Sequence, residues 1–299
     1  MGSGGKLQHK KIISAKNISG WLLMLPPLIL FSFFIWFPLL DSIRLSVYHA
    51  NGMKLIQFVG MRNYFEVFEH PDFMPALKNT FSYTLWSLVI GFLVPIVLAI
   101  LINEIRAGKS FIKMSVYVPN IVPGLAIVIL WRFIFNPGET GILNILLAKV
   151  GIAPQLWLTN RTWTIPLIVM TLTWKGAGAT TLLYLAGLQG IDPELYEAAI
   201  IDGANILKRL RYITIPCIYN LARTLLILQI IAVFQILYEP LVMTNGGPNN
   251  ASISIMQLVF KFAFERFDYP KAAAVSVIIG VILVVLTAFY FKINKKKDM

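Results

Sequence analysis

Five stretches of the chain approach or reach the length of a membrane span without one charged side chain. They are Gly20 to Leu40, Asn79 to Asn103, Met114 to Trp131, Thr162 to Trp174 and Ala272 to Phe291. A bilayer core needs about 20 apolar residues of helix, because lipid offers no partner to exposed backbone N–H and C=O groups. The fourth run continues beyond Lys175. A sixth, Thr224 to Tyr238, reaches spanning length only if Ile218 to Arg223 belong to the same helix. The pattern predicts an all-α membrane protein of about six transmembrane helices, near residues 20–40, 80–103, 112–135, 162–185, 218–240 and 270–292. They form one domain over 20–293, between an N-terminal tail at 1–19 and a basic tail at 294–299.

Composition agrees: 13% of the residues are charged and 57% hydrophobic, whereas soluble domains carry about 25% charged residues. The net charge of +12 would suit a nucleic-acid binder. The basic residues instead sit at the ends of apolar runs, so no nucleic acid is expected. The single cysteine, Cys217, excludes an internal disulfide.

The first run follows Lys6, Lys10, Lys11 and Lys16 as a signal peptide would, but it exceeds a signal core. Pro38-Leu39-Leu40-Asp41 also lacks a small-residue cleavage site, so it is read as a span. With the N-terminus inside, the inside segments hold 14 basic residues in about 72 positions. The outside segments hold 8 in about 93. This bias predicts both termini in the cytoplasm of a cell (inner) membrane protein. Prolines 26, 27, 38, 95, 123 and 166 lie within apolar runs. Bundle neighbours can re-satisfy the carbonyls they free, so kinked spans are expected.

Polar groups inside spans face a cavity or another helix. Trp174 and Lys175 in the fourth span, and Gln229, Gln235 and Tyr238 in the fifth, are candidates for a solute pathway. Interhelical hydrogen bonding, or snorkelling of Lys175, accounts for each of them slightly better. Gly176 and Gly178 are read as close-packing positions. His9, His49 and His70, and the charged set Arg62, Glu66, Glu69 and Asp72, are read as solvated. Ala107-Gly108-Lys109-Ser110 resembles the end of a phosphate loop, but Asn103 stands where its first glycine belongs.

One inside segment, residues 190–216, is punctuated differently. Asp192 suits a helix N-cap, Pro193 the first helical position and Glu194 the positive helix end, and Gly203 suits a stop. A second short helix is expected from Ala204 to Tyr212, ended by Pro216. Two short helices on the membrane face could be gripped by a soluble partner, or could rest on lipid headgroups.

Glu197-Ala198-Ala199, Gly203 after three residues, and Ile213-x-Ile215-Pro216 after nine more resemble the EAA loop of permease subunits in binding-protein-dependent ABC importers. Isoleucine stands where the family usually has leucine before the proline. Further stretches resemble the carbohydrate, maltose-transporter branch. They are Phe58-Val59-Gly60 with Asn63-Tyr64, Ala76 to Thr80, Leu185 to Gln189, Thr244-Asn245-Gly246-Gly247-Pro248, and Ala272 to Ala274.

The resemblance implies a non-catalytic pore subunit paired with a second homologous permease. Two copies of a cytoplasmic ATPase would hold ATP and Mg, leaving no cofactor in this chain, and an external solute-binding protein would deliver a carbohydrate. Glu197, Ala198, Ala199, Gly203, Ile213 and Pro216 would couple to the ATPase, and Gly246, Gly247 and Pro248 would meet the binding protein. A glycerol-phosphate permease or an ion-coupled secondary transporter stays open as an alternative. A membrane enzyme acting on lipid would need convergent acid, base or metal groups that the sequence does not bring together.

Overall fold

The computed structural model describes residues 15–52, 54–105 and 107–295. The side chains of 15–19, 294 and 295 fall outside it as well. The basic tail at 294–299, Lys6, Lys10, Lys11, the side chain of Lys16, and His9 therefore lie outside the described residues.

Helix α1 contains the apolar stretch Gly20–Ser46. A hairpin of β1 (Tyr48–Asn51) and β2 (Lys54–Phe58) and a short helix α2 (Arg62–Phe68) lead to α3 (Phe73–Glu104). Helices α4 (Lys109–Ile121), α5 (Gly124–Ile134), α6 (Ile142–Lys149) and α7 (Thr164–Gln189) follow. Helix α8 (Pro193–Ile201) precedes α9 (Ile206–Phe234), and then come α10 (Tyr238–Thr244), α11 (Ile255–Phe260) and α12 (Tyr269–Lys295).

Among the described residues, α1, α3, α9 and α12 are long and apolar enough to cross a membrane. The bent pair α4–α5 makes five. The expected third span, 112–135, is not one helix, because α4 and α5 meet at 96°. Val122 and Pro123 are extended there (ψ 136° and 131°), as a residue before proline prefers and as a missing N–H allows.

The expected fourth span corresponds to α7, which is long but not apolar enough to count among those helices, for a physical reason. Fourteen of its 26 residues are buried, against only Ser46 in the α1 segment Phe37–Ser46. A helix surrounded by protein need not be uniformly apolar. Thr171 and Thr173 close their hydroxyls on their own helix, at Leu167 O and Val169 O. Gly178 lets α4 approach so closely that a Cβ there would stand 2.2 Å from Val116 O. Nothing crowds Gly176 in this way.

Three helix-interior prolines share one solution. Pro38, Pro95 and Pro216 each follow a wide π-type turn, at Ser32–Trp36, Ser87–Gly91 and Leu210–Thr214. The ring of a proline clashes with the carbonyl four residues earlier, and that residue (34, 91 or 212) lies inside the wide turn in every case. Pro216 therefore does not end a helix, contrary to expectation: α9 runs from Ile206 through it. The expected helix at Ala204 to Tyr212 is the start of α9, which reaches well before Arg223 and stops at Phe234.

Helix α7, about 39 Å long at 1.5 Å per residue, joins the two ends of the bundle. At one end Tyr184, Leu185 and Leu188 pack with Ala99, Ile102 and Ile218. At the other, Ile165, Leu167, Ile168 and Val169 pack with Tyr83, Phe135, Val233 and Met243. A third cluster joins Val67, Phe73, Ile255, Leu258 and Val275 beside that second end.

Candidate functional site

The chain leaves α7 at Gly190 and builds a projecting element. The Asp192 carboxylate accepts from Glu194 N at 3.0 Å, capping α8 with Pro193 at its first position. Helix α8 ends through Asp202 N to Ala198 O, 3.0 Å, and Ala204 N to Ala199 O, 2.8 Å. Gly203 between them takes φ +73°. Asn205 Oδ1 then caps α9 by accepting from Lys208 N at 2.9 Å. The Tyr196 and Thr214 hydroxyls, 3.0 Å apart, tie the two helices.

No residue of α8 is buried. Leu195, Ile200, Ile201, Ile206 and Leu207 are 49–85% exposed around the turn. Glu197 and Ala198 are exposed and Ala199 half-buried, so these share one projecting surface with Gly203. Ile213, half-buried, and Pro216, exposed, belong to the root of α9 instead.

A cavity of about 450 Å³ opens between α3, α7, α9 and α10. Gln229, Gln235 and Tyr238 line it with Ser87, Thr173, Gly176 and Glu239. Gln229 Nε2 donates to Ser87 O (2.8 Å) and Oγ (2.6 Å) across two helices. Gly91 leaves room for that amide, since a Cβ there would lie 2.5 Å from Nε2. Trp174 and Lys175 do not line the cavity. Trp174 meets Trp131 edge-on at 5.7 Å between ring centres. The Lys175 ammonium reaches the break between α4 and α5, where a Cβ on Gly124 would come within 2.5 Å of it.

The Gly246-Gly247-Pro248 turn sits at the opposite end of the bundle from α8. Gly246 (φ +81°) faces inward against Ile253 and Gln257. Gly247 and Pro248 border a second cavity, of about 490 Å³, with Arg132, Asn136, Thr159 and Thr244. The loop is held from α3: Asn79 Nδ2 donates to Asn250 O and Ile253 O, and Tyr83 Oη to Ser252 O.

Two expectations are corrected here. Arg62, Glu66 and Asp72 are paired rather than simply solvated: Arg62 Nε lies 2.8 Å from Glu66 Oε1, and Lys271 Nζ 3.0 Å from Glu66 Oε2. Asp72 accepts from Asn250 Nδ2 at 2.6 Å. The bonds from Lys271, then Arg62, hold the Glu66 carboxyl below its usual range. His70 is half-buried, edge-on to Phe262 and bonded to Arg266. Burial first, and the Arg266 charge second, lower its pKa.

Asn144 escaped the sequence reading. It is buried in the connection between α5 and α7. Its Nδ2 lies 3.1–3.3 Å from the carbonyls of Asn136, Pro137, Gly138 and Gln155. Its Oδ1 accepts from Gln155 N and Trp157 Nε1. The available signal was one amide amid Ile142-Leu143 and Ile145-Leu146-Leu147.

A family model described as "binding-protein-dependent transport system inner membrane component" matches residues 91–298. The chain is 32% identical over 280 residues to the trehalose/maltose transport system permease protein MalF of Thermococcus litoralis, covering 92% of this chain and 93% of that one. It is 29% identical over 287 residues to the arabinooligosaccharides transport system permease protein AraP of Bacillus subtilis, covering 95% and 91%. A chain of a bacterial alginate ABC transporter, solved with its alginate pentasaccharide-bound periplasmic protein, superposes with TM-score 0.84. The two are 25% identical, with 94% of this chain and 95% of that chain covered.

Proposed function

The chain belongs to the binding-protein-dependent transport system inner membrane components, and from that membership we propose that it forms one half of the passage through an ATP-driven importer of a sugar or oligosaccharide. The other half is a second homologous permease. Two copies of a cytoplasmic ATPase bind ATP and Mg, this subunit catalyses nothing, and an external binding protein delivers the solute.

The observation that carries this reading is α8. It is capped at both ends, fastened to α9 by Tyr196, and projects an apolar tip that its own chain leaves uncovered. Such a knob suits a cleft on a soluble partner. Glu197, Ala198, Ala199 and Gly203 form its docking surface, with Ile213 and Pro216 at its root. Movement of the docked knob reaches the membrane through α7 and α9, switching the pore between inward- and outward-facing states.

In this reading the four long helices, the bent pair α4–α5 and the buried α7 make six spans. Both termini and α8 lie in the cytoplasm, and Gly246, Gly247 and Pro248 face the binding protein outside. The cavity of Gln229, Gln235 and Tyr238 lies on the solute path, since amides and a phenol suit sugar hydroxyls. Trp174 and Lys175 would join that path from beyond the cavity. Relatives named for arabinooligosaccharides and for trehalose and maltose support the cargo class.

The test is solute-stimulated ATPase activity in the reconstituted complex. Glu197→Lys is expected to abolish stimulation while assembly is kept, and wild-type stimulation would defeat the docking assignment. A cysteine at Asn205, in a Cys217→Ser background, should react with an impermeant thiol reagent only from the cytoplasmic side.

A further inference from the structure

Helix α2 carries three distinct faces. At 100° per residue, Met61, Phe65 and Phe68 fall within an arc of about 60°, and they are 55%, 65% and 53% exposed. Asn63, Tyr64 and Val67 are buried against the protein. Arg62, Glu66 and Glu69 occupy the remaining arc. A helix that were merely solvated would have no cause to present a methionine and two phenylalanines together.

Its position limits what can cover that face. Only residues 69–72 separate Phe68 from the start of α3, a tether of at most roughly 18 Å when extended. On the other side Glu66 pairs with Lys271, in the first turn of α12, at 3.0 Å. The helix therefore lies level with the ends of two spans. Helix α3 itself exposes Met74, Phe81 and Leu85 along one face, 49%, 43% and 64% exposed and spaced at helical intervals. Arg44, Lys54 and Lys78 are exposed on the neighbouring segments, and their charge complements lipid phosphate. Tyr48 and Phe58 form an edge-on pair in the hairpin beside them, as suits the belt where aromatic rings meet headgroups.

We infer that α2 is an interfacial anchor: Met61, Phe65 and Phe68 insert at the headgroup–acyl boundary of the leaflet opposite α8. This fixes the depth of the α3 and α12 ends, and with them the loop that Asn79 holds. Arg62 and Glu69 point toward water, while Glu66 stays paired with Lys271 at the end of α12.

The experiment is spin-label depth measurement on the assembled transporter, in vesicles of phosphatidylethanolamine and phosphatidylglycerol. A single cysteine is placed at Phe65, Phe68 or Glu69 in a background free of other cysteines, Cys217→Ser included. Labels at 65 and 68 should collide with oxygen several-fold more, relative to a water-soluble nickel chelate, than the label at 69. Equal nickel access at 65 and 69 would overturn the anchor by showing a solvated helix. Low access to both reagents at 65 would overturn it by showing a protein contact. Agreement of two separate positions guards against local disturbance by either substitution.

Discussion

The side-chain amide of Asn79 donates to the carbonyl of Asn250, 171 positions further along the chain and 2.7 Å away. The same nitrogen reaches Ile253 O at 3.0 Å. One turn on, Tyr83 Oη holds Ser252 O at 2.8 Å, and beside it Thr80 Oγ1 accepts from Ile255 N at 2.9 Å. One face of α3 is thus a ladder for the loop that follows Gly246-Gly247-Pro248.

Replacing Asn79 with Ala removes the two donations and leaves carbonyls of the loop without that partner. A cost of about 1–3 kcal/mol is expected for such a loss. Hydrogen exchange should quicken over residues 246–254 and stay unchanged at α8. Binding-protein stimulation of the ATPase should fall while basal hydrolysis persists.

Asn144 provides a sharper case, because its two ends do different work. Asn144→Ala strands the amides and carbonyls it now joins and should cost at least about 2 kcal/mol, read by thermal unfolding of the complex. Asn144→Asp keeps the acceptor for Gln155 N and Trp157 Nε1 but turns a carboxylate oxygen on four carbonyls. It should be no more stable than the alanine variant. An aspartate that behaved like wild type would show that the four carbonyls do not depend on Nδ2.

Run length and residue type made much of this legible. The long apolar helices follow from the absence of charge, and the α8 loop from Asp192, Pro193 and Gly203, each suited to its place by backbone chemistry. The broken third span was not legible, because proline alone does not distinguish a break from a bend. Pro123 parts two helices at 96°, while Pro95 stays inside α3 after a wide turn. Nor was the central place of α7, since its threonines weaken the apolar signal that marks a lipid-facing helix. The pairing of Glu66 with Lys271 joins segments some 200 residues apart, which local patterns do not encode.

Acid should loosen the same end of the bundle in two separable windows. The lowered pKa of His70 means that folding favours its neutral ring, so stability is lost as pH falls below its ordinary value of 6.5. Protonation would set an imidazolium against Arg266. Glu66 is also lowered, but its contribution is present above 4.5 and is lost only below that. Thermal stability of the complex measured from pH 8 to 5.5 should therefore decline through His70 and not Glu66. His70→Gln should flatten the decline, and an unchanged slope would remove His70 as its source.

The turn between α8 and α9 should tolerate substitution according to backbone geometry, not size. Gly203 has φ +73° and nothing within 4 Å of a would-be Cβ, so any penalty comes from the left-handed conformation itself. Asn adopts that region readily, and Gly203→Asn should keep solute-stimulated ATPase near wild type. Gly203→Val should cost more than the roughly 1–2 kcal/mol of an ordinary side chain, because β-branching disfavours positive φ. Gly203→Pro should be worst, since its ring fixes φ near −65° and removes the N–H that bonds Ile200 O at 3.0 Å. Stimulated hydrolysis should fall in the order Asn, Val, Pro, with membrane insertion constant. Equal coupling in all three would show that the turn need not hold α8 at a fixed angle to α9.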